Sequence, residues 1–441
     1  MKKILLYTTI LLAANASAQE TVYPAEKQKG TTIISNATIH VGNGQVIEKG
    51  SIVITDGKIT AVGANVTAPS GATNVDAQGK HVYPGLILPA TNLGLVDINS
   101  VRATSDVREI GELNPNIRSI VAYNTDSKVI NTLRSSGILL ANIVPEGGLI
   151  SGSSSIVQLD AWNWEDAVYK TDAGIHFTMP SLIARPRGFG GGGAPGGPNA
   201  NAPQVDVVKQ GLEQVDRIKS FFKEAQAYSK TDTHEETNLK FTAVKGLFDK
   251  SKKLYVHANT VKQMLIALDF VKEFGFDVVI VGGSDSWQIA DLLKQNNVFV
   301  ILNQPHALPT LQDDDIDQPY KTPAMLQKAG VTFAINDEDG QTRGRNLSYN
   351  AGTASAYGLT KEQALQAITL NAAKVLGIAD RTGSIEVGKD ANIVISTGDI
   401  LDMRTSTVTD AFIQGRKIDL NDKQKQLNER YKHKYGIKSP F

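Results

Sequence analysis

Imidazoles and carboxylates are the groups in this chain with the widest chemical reach, and thiol chemistry is closed to it: there are 7 histidines and no cysteine. His257 ends the apolar run Leu254-Tyr-Val-His257, and His306 lies just past the run Val298-Phe-Val-Ile-Leu302. Asp337 follows Thr332-Phe-Ala-Ile335-Asn336, and Glu338 and Asp339 come after it. An imidazole or carboxylate at the end of a buried strand can move a proton or help to hold a divalent cation. His40 and His81 fall among short β-like segments and read as structural; His176 and His234 flank a low-complexity insertion and read as surface residues. Trp162 and Trp164 are two apart, so in an extended segment they share a face. They either stack on a substrate or are buried together. Asp313-Asp-Asp315 offers oxygen ligands for calcium or a plain solvated loop.

The elements that would position these groups come in two kinds. From about Thr31 to Val82 the pattern is all-β, with Asp56-Gly57 placed as the two-residue turn of a hairpin. From Tyr83 onward short apolar runs alternate with helical ones. Ile138–Val144, Leu254–His257, Asp277–Val281, Val298–Leu302 and Thr332–Ile335 read as strands buried on both faces, as in a parallel sheet. Thr260 with Gln263, and Thr360 with Gln363, are spaced as capping boxes of intervening helices. Repeated strand–helix units over this length predict a (β/α)8 TIM barrel, an α/β fold that typically takes about 250 residues. A doubly wound sheet is the alternative, but no G-x-G-x-x-G turn follows any strand. Gly188–Pro198 is too rich in glycine and proline to pack a core and reads as a flexible insertion. A charged helical stretch follows from Val205 to Lys250. Gly383–Ile395 returns to a turn and strand, Ala411–Lys417 reads as a further strand, and Asp422–Tyr435 as a charged helix.

Bulk properties narrow the setting. Lys2 and Lys3, the apolar run Ile4–Ala14 and Ala16-Ser17-Ala18 form an export signal, so the mature chain is expected to start at Gln19 in the periplasm or outside a bacterium. The apolar run is short of the ~20 residues of a membrane span, and no transmembrane segment is expected in the mature chain. The formal net charge of zero argues against nucleic acid as a partner.

Several blocks resemble the amidohydrolase superfamily, and its imidazolonepropionase-type members most. They are Ile34-Ser-Asn-Ala-Thr-Ile-His40, Gly79-Lys-His-Val-Tyr-Pro84-Gly85-Leu-Ile87, Ala367-Ile-Thr369-Leu-Asn371-Ala-Ala-Lys-Val-Leu-Gly377 and Gly383-Ser-Ile-Glu-Val-Gly388-Lys389-Asp390-Ala391. The resemblance implies a barrel flanked by a small composite β-sandwich formed from both chain ends. The segments would be a signal at 1–18, sandwich strands at 19–82, the barrel at 83–380 with its insertion at 188–204, returning strands at 381–418, and a terminal helix at 419–441.

Relatives of this kind hold one or two divalent metals at the C-terminal ends of the barrel strands, where bound water becomes hydroxide. On the first strand the family pattern Pro-Gly-x-x-Asp-x-His-x-His reads here Pro84-Gly-Leu-Ile-Leu-Pro-Ala90-Thr-Asn92, with Ala90 and Asn92 in place of both histidines. The sixth strand reads Val281-Gly282-Gly283, with Gly282 in place of a third. The resemblance leaves His257 on the fifth strand and Asp337 on the eighth as catalytic and metal positions, with Asn92, Asn259, His306 and Trp162 as substrate contacts. A single zinc at a rearranged site of His257, His306 and Asp337 is the one cofactor arrangement open; otherwise none is expected.

Two functions follow. One is a hydrolase acting on carbon–nitrogen bonds of small cyclic or dipeptide-like amides. The other is a pseudoenzyme that binds a ligand or partner in the cell envelope, as a homo-oligomer or paired with an intact amidohydrolase relative.

Overall fold

The computed structural model describes residues 22–183, 206–231, 233–309, 313–338 and 344–437. The segments read as an export signal at 1–18 and a flexible insertion at 188–204 lie outside the described residues.

Five strands open the chain: β1 (Thr31–His40), β2 (Val46–Thr55), β3 (Lys58–Gly63), β4 (Thr73–Asp76) and β5 (His81–Pro84). The β2–β3 hairpin closes through Asp56 and Gly57 at φ of 50° and 77°, the left-handed pair that glycine accepts freely and aspartate tolerates. Eight strands follow: β6 (Leu86–Thr91), β7 (Ile138–Ile143), β8 (Ile150–Gln158), β9 (Val168–Thr178), β10 (Lys253–Ala258), β11 (Val278–Gly282), β12 (Phe299–Leu302) and β13 (Phe333–Ile335). The chain then returns through β14 (Ile393–Ser396), β15 (Val408–Ile413) and β16 (Arg416–Lys417).

Strands from both ends join one hydrogen-bonded sheet, in the order β16-β15-β14-β5-β1-β2-β3 with β4 beside β1. Ile34, Ile39, Ile52, Val82, Ile393 and Phe412 pack together as its own core. Ala411–Lys417 is a hairpin and not the single strand its composition suggests. Gln414 and Gly415 sit at φ of 47° and 73°, and β15 turns there into β16.

The second sheet is a nearly closed eight-strand barrel, β6 to β13 in sequence order. Seven strands run in one direction; β8 runs against both β7 and β9. This departs from a uniform (β/α)8 barrel, and the sequence of β8, Ile150-Ser-Gly-Ser-Ser-Ser-Ile-Val-Gln158, carries no strand signal of its own. Its buried inner residues are largely serines, so no hydrophobic alternation marks it. Ile87, Leu140, Tyr255, Val279, Ile301 and Ala334 fill the barrel interior. The helix Leu370–Leu376 plugs its lower end with Ala372, Ala373, Val375 and Leu376, and the Tyr255 hydroxyl donates to the Val375 carbonyl at 3.4 Å. Both capping boxes form, at Thr260 of the helix Val261–Phe274 and Thr360 of the helix Lys361–Ala367.

A buried ionic cluster ties the ends of the chain to the base of the barrel. Asp160, just past β8, pairs with Arg134 and, at 3.0 Å, with Arg416 of β16. Its carboxylate also accepts the backbone N–H of Ala25 at 2.9 Å.

Candidate functional site

In the seven co-directional strands the C-terminal ends form one mouth, and that is where His257, Asn259, Gly282, Asn303 and Asp337 lie. Along β10, Tyr255 and His257 share a face because side chains alternate. Tyr255 is in the packed interior, so His257 stands one layer higher, half-buried beneath the mouth.

The partner of His257 is His176, a residue whose position near the insertion suggested the surface. It lies instead on β9, fully buried, its Nδ1 2.9 Å from His257 Nε2 and its ring stacked on Tyr255 at 4.7 Å. Val168–Thr178 is the strand adjoining β10, and Tyr255 and His176 are partners in register. The signal for this was present in Ala173-Gly-Ile-His176-Phe177, a short run of apolar residues around the histidine. Burial lowers the His257 imidazole to about 4, and burial followed by the neighbouring His257 pushes His176 well below the ordinary histidine range. Both are therefore neutral at physiological pH. His176 Nε2 is buried with no hydrogen-bond partner. A lone pair is cheaper to leave unmatched than an N–H donor, which places the His176 proton on Nδ1. His257 then accepts at Nε2 and keeps its own proton on Nδ1 as a donor.

On the other side of the mouth, β13 delivers Asn336, Asp337 and Glu338. Asn336 Oδ1 accepts the Ala90 N–H at 3.2 Å, a bond across the seam between the first and last strands. Buried Asp337 accepts the Asn346 N–H on Oδ2 at 3.0 Å. Glu338 was not singled out for a role from sequence; its N–H donates to Gln304 Oε1 at 3.1 Å. Glu338 is exposed to solvent as a residue, and its carboxyl is partly desolvated by the neighbouring chain. That desolvation first, then the charges of Glu146 and Asp337, push it up to about 6.

The remaining expected contacts are placed differently. Asn92 stays at the mouth and donates to Glu146 at 3.1 Å. His306 turns to Thr353, with Nε2 2.7 Å from its hydroxyl. The three-ligand arrangement of His257, His306 and Asp337 is not assembled, and among the described residues no group of three histidine or carboxylate side chains converges as a metal site. Trp162 follows β8, whose reversed direction carries it to the far end of the barrel, where it is 63% exposed beside Tyr23. It cannot reach a substrate at the mouth.

A solved amidohydrolase from Thermotoga maritima shares this fold at a TM-score of 0.74, with 24% identity over 88% of this chain and 99% of that one. A prolidase solved with N-methylphosphonate-L-proline aligns at a TM-score of 0.54 and 16% identity, over 88% and 99% of the two chains. In sequence, an imidazolonepropionase from Mesorhizobium japonicum is 24% identical over 384 residues, 79% of this chain and 87% of that protein. The sequence profile of the Amidohydrolase family matches residues 321–418, from the helix before β13 through to β16. These likenesses in fold and sequence support the amidohydrolase superfamily.

In this barrel, the residues at the positions where that superfamily holds metals do not fit the usual pair of ions. Ala90 has no ligating atom, and the Asn92 amide is engaged with Glu146. Gly282 has a φ of +104°, and a Cβ there would collide with the Asn259 carboxamide oxygen. That oxygen is held in place by the Ser284 hydroxyl at 3.1 Å. The space of a sixth-strand ligand is thus filled by a neutral amide.

Proposed function

We propose that this protein is a hydrolase acting on a carbon–nitrogen bond of a small amide, working with an acid–base pair of carboxyls in place of the superfamily's usual two-metal centre. The observation that carries the reading is the juxtaposition at the end of β13. Asp337 is held as an acceptor by the Asn346 N–H, and the adjacent Glu338 is pushed up to about 6. Two carboxyls whose environments differ in this way divide the labour of acid and base.

The step balances as follows. Asp337 takes a proton from water as the oxygen attacks the amide carbon. Protonated Glu338 gives its proton to the leaving nitrogen as the C–N bond breaks, yielding an acid and an amine. The neutral His257, with its donor on Nδ1, supplies a hydrogen bond to the carbonyl oxygen as charge develops there. The export signal read at 1–18 supports a setting outside the cytoplasm for this chemistry. The test is turnover of a panel of cyclic amides and N-acyl amino-acid amides by the purified mature chain. Activity that disappears in Asp337→Asn while the far-UV spectrum is unchanged supports the reading; activity unchanged by that substitution ends it.

A second reading is a pseudoenzyme that only binds. It is favoured by the filling of position 282 by Asn259, which leaves a shaped site where a ligand histidine would stand. A folded protein with ligand affinity and no turnover across the panel would select it.

A further inference from the structure

Trp162 has no part in the chemistry at the mouth, yet its backbone is firmly held. Its sequence neighbour Trp164 opens the helix Trp164–Ala167 and packs partly buried against the core. Trp162 stands between two fixed points. Asp160 is locked in the buried ionic cluster, and Asn163 Oδ1 accepts the Asp166 N–H at 2.9 Å as the cap of that helix. The indole still faces solvent, with the exposed Tyr23 ring 5.9 Å away and tilted by 42°. It borders a cleft of about 750 Å³ at the end of the barrel opposite His257, walled by residues 25–28, the β2–β3 turn, the end of β8 and the β15–β16 turn. That volume falls within the about 300–1,000 Å³ of small-molecule sites. The floor is preset. Asp390 pairs with Lys58 at 2.5 Å and Arg381 at 3.4 Å, and the Arg381 guanidinium lies 4.0 Å over the Tyr169 ring. Arg416 donates to Gln158 Oε1 at 2.6 Å, and Gln28 Oε1 accepts the Gly57 N–H at 2.8 Å.

The lining selects by polarity and by charge. Apart from Ala25 and Ala161, Trp162 is the one apolar side chain among its described residues, so a ligand apolar on several faces would bury polar groups unmatched. Acidic and basic residues in the described lining are near balance, five against four, and the deep ones are paired with each other. Neither an anion nor a cation finds an uncompensated partner there. Asp56, Asp166 and Lys27 add acceptors and donors that are exposed to solvent along the same cleft. The matching ligand is uncharged, carries donors and acceptors around its edge, and has one flat C–H face for the electron-rich face of an indole. A pyranose ring has these properties. We propose that this cleft binds a neutral oligosaccharide, one pyranose ring lying on the Trp162 indole with its hydroxyls hydrogen-bonded along the polar walls. The proposal goes beyond the hydrolase reading and does not rest on it, because the cleft and the mouth lie at opposite ends of the barrel.

Maltotetraose, cellotetraose and mannotetraose are neutral probes of this cleft, and tetragalacturonate is a matched probe with a carboxylate on each ring. Calorimetric titration into the mature protein is expected to show binding of at least one neutral sugar, with tetragalacturonate at least tenfold weaker than the best of them. Trp162→Ala is expected to weaken that sugar at least tenfold through loss of the stacking surface, with a native melting profile because the indole is exposed. Trp162→Phe is expected to recover most of the affinity, since a phenyl face also stacks. No binding of any neutral sugar, tetragalacturonate bound as tightly as the best of them, unchanged affinity in Trp162→Ala, or equal loss in Trp162→Ala and Trp162→Phe would overturn the proposal. Turnover of the amide panel, present or absent, does not enter these titrations, so the two readings fail separately.

Discussion

His176 Nδ1 and His257 Nε2 lie 2.9 Å apart on neighbouring barrel strands, and both imidazoles are held neutral by burial. Such a pair makes stability depend on pH. The folded pKa of each is depressed below its unfolded value near 6.5, so between the two values the unfolded chain binds more protons. The stabilisation is complete above about pH 6.5 and falls as pH drops toward 4, by up to about 1.4 kcal/mol per pH unit for each group. Urea titrations of the native protein between these limits should show that loss. In His176→Phe the slope should be shallower, since one of the two protons is no longer taken up on unfolding.

Under the acid–base reading, Glu338 gives the activity profile a descending arm. If Glu338 donates its proton in the protonated form, kcat/KM should decline as pH rises through about 6. In Glu338→Gln that decline should disappear together with about 10²-fold or more of the rate, the scale of a general acid. Asp337→Asn should lose as much at every pH. A profile that keeps its break near 6 in Glu338→Gln assigns the break to another group.

Asp160 should matter more for stability than any exposed pair. It sits buried between Arg134 and Arg416 and accepts the Ala25 N–H. Asp160→Asn leaves two guanidinium groups without their counter-charge, which costs about 3–5 kcal/mol. Thermal unfolding should show a lowered Tm, whereas removal of the exposed Lys29–Glu26 pair should leave the Tm nearly unchanged.

Trp162→Ala should leave kcat/KM within about twofold, because the ring stands at the opposite end of the barrel from His257. A loss of an order of magnitude, with folding intact, would move the site to the cleft that Trp162 shares with Arg416 and Asp390.

The elements with local signals were legible. Asp56-Gly57 carries its own turn chemistry, the two Thr-x-x-Gln boxes carry their own caps, and the continuous apolar runs that became β7 and β10 to β13 carry their own burial. The elements whose identity depends on neighbours were not. β8 is a serine strand that is a strand only because β7 and β9 supply its hydrogen bonds. The turn at Gln414 and Gly415 is set by the pairing of β15 with β16.

The same division holds at the site. The residues Ala90, Asn92 and Gly282 determine by type alone that three imidazole ligands are missing from the positions where the superfamily places them, because no backbone arrangement can give alanine or glycine a ligating side chain. What replaces them is a matter of distance, and distances between residues far apart in the chain are set by packing. Only the folded barrel brings His176 onto His257, turns His306 away to Thr353, reverses β8 so that Trp162 leaves the mouth, and lays the Asn259 amide over Gly282.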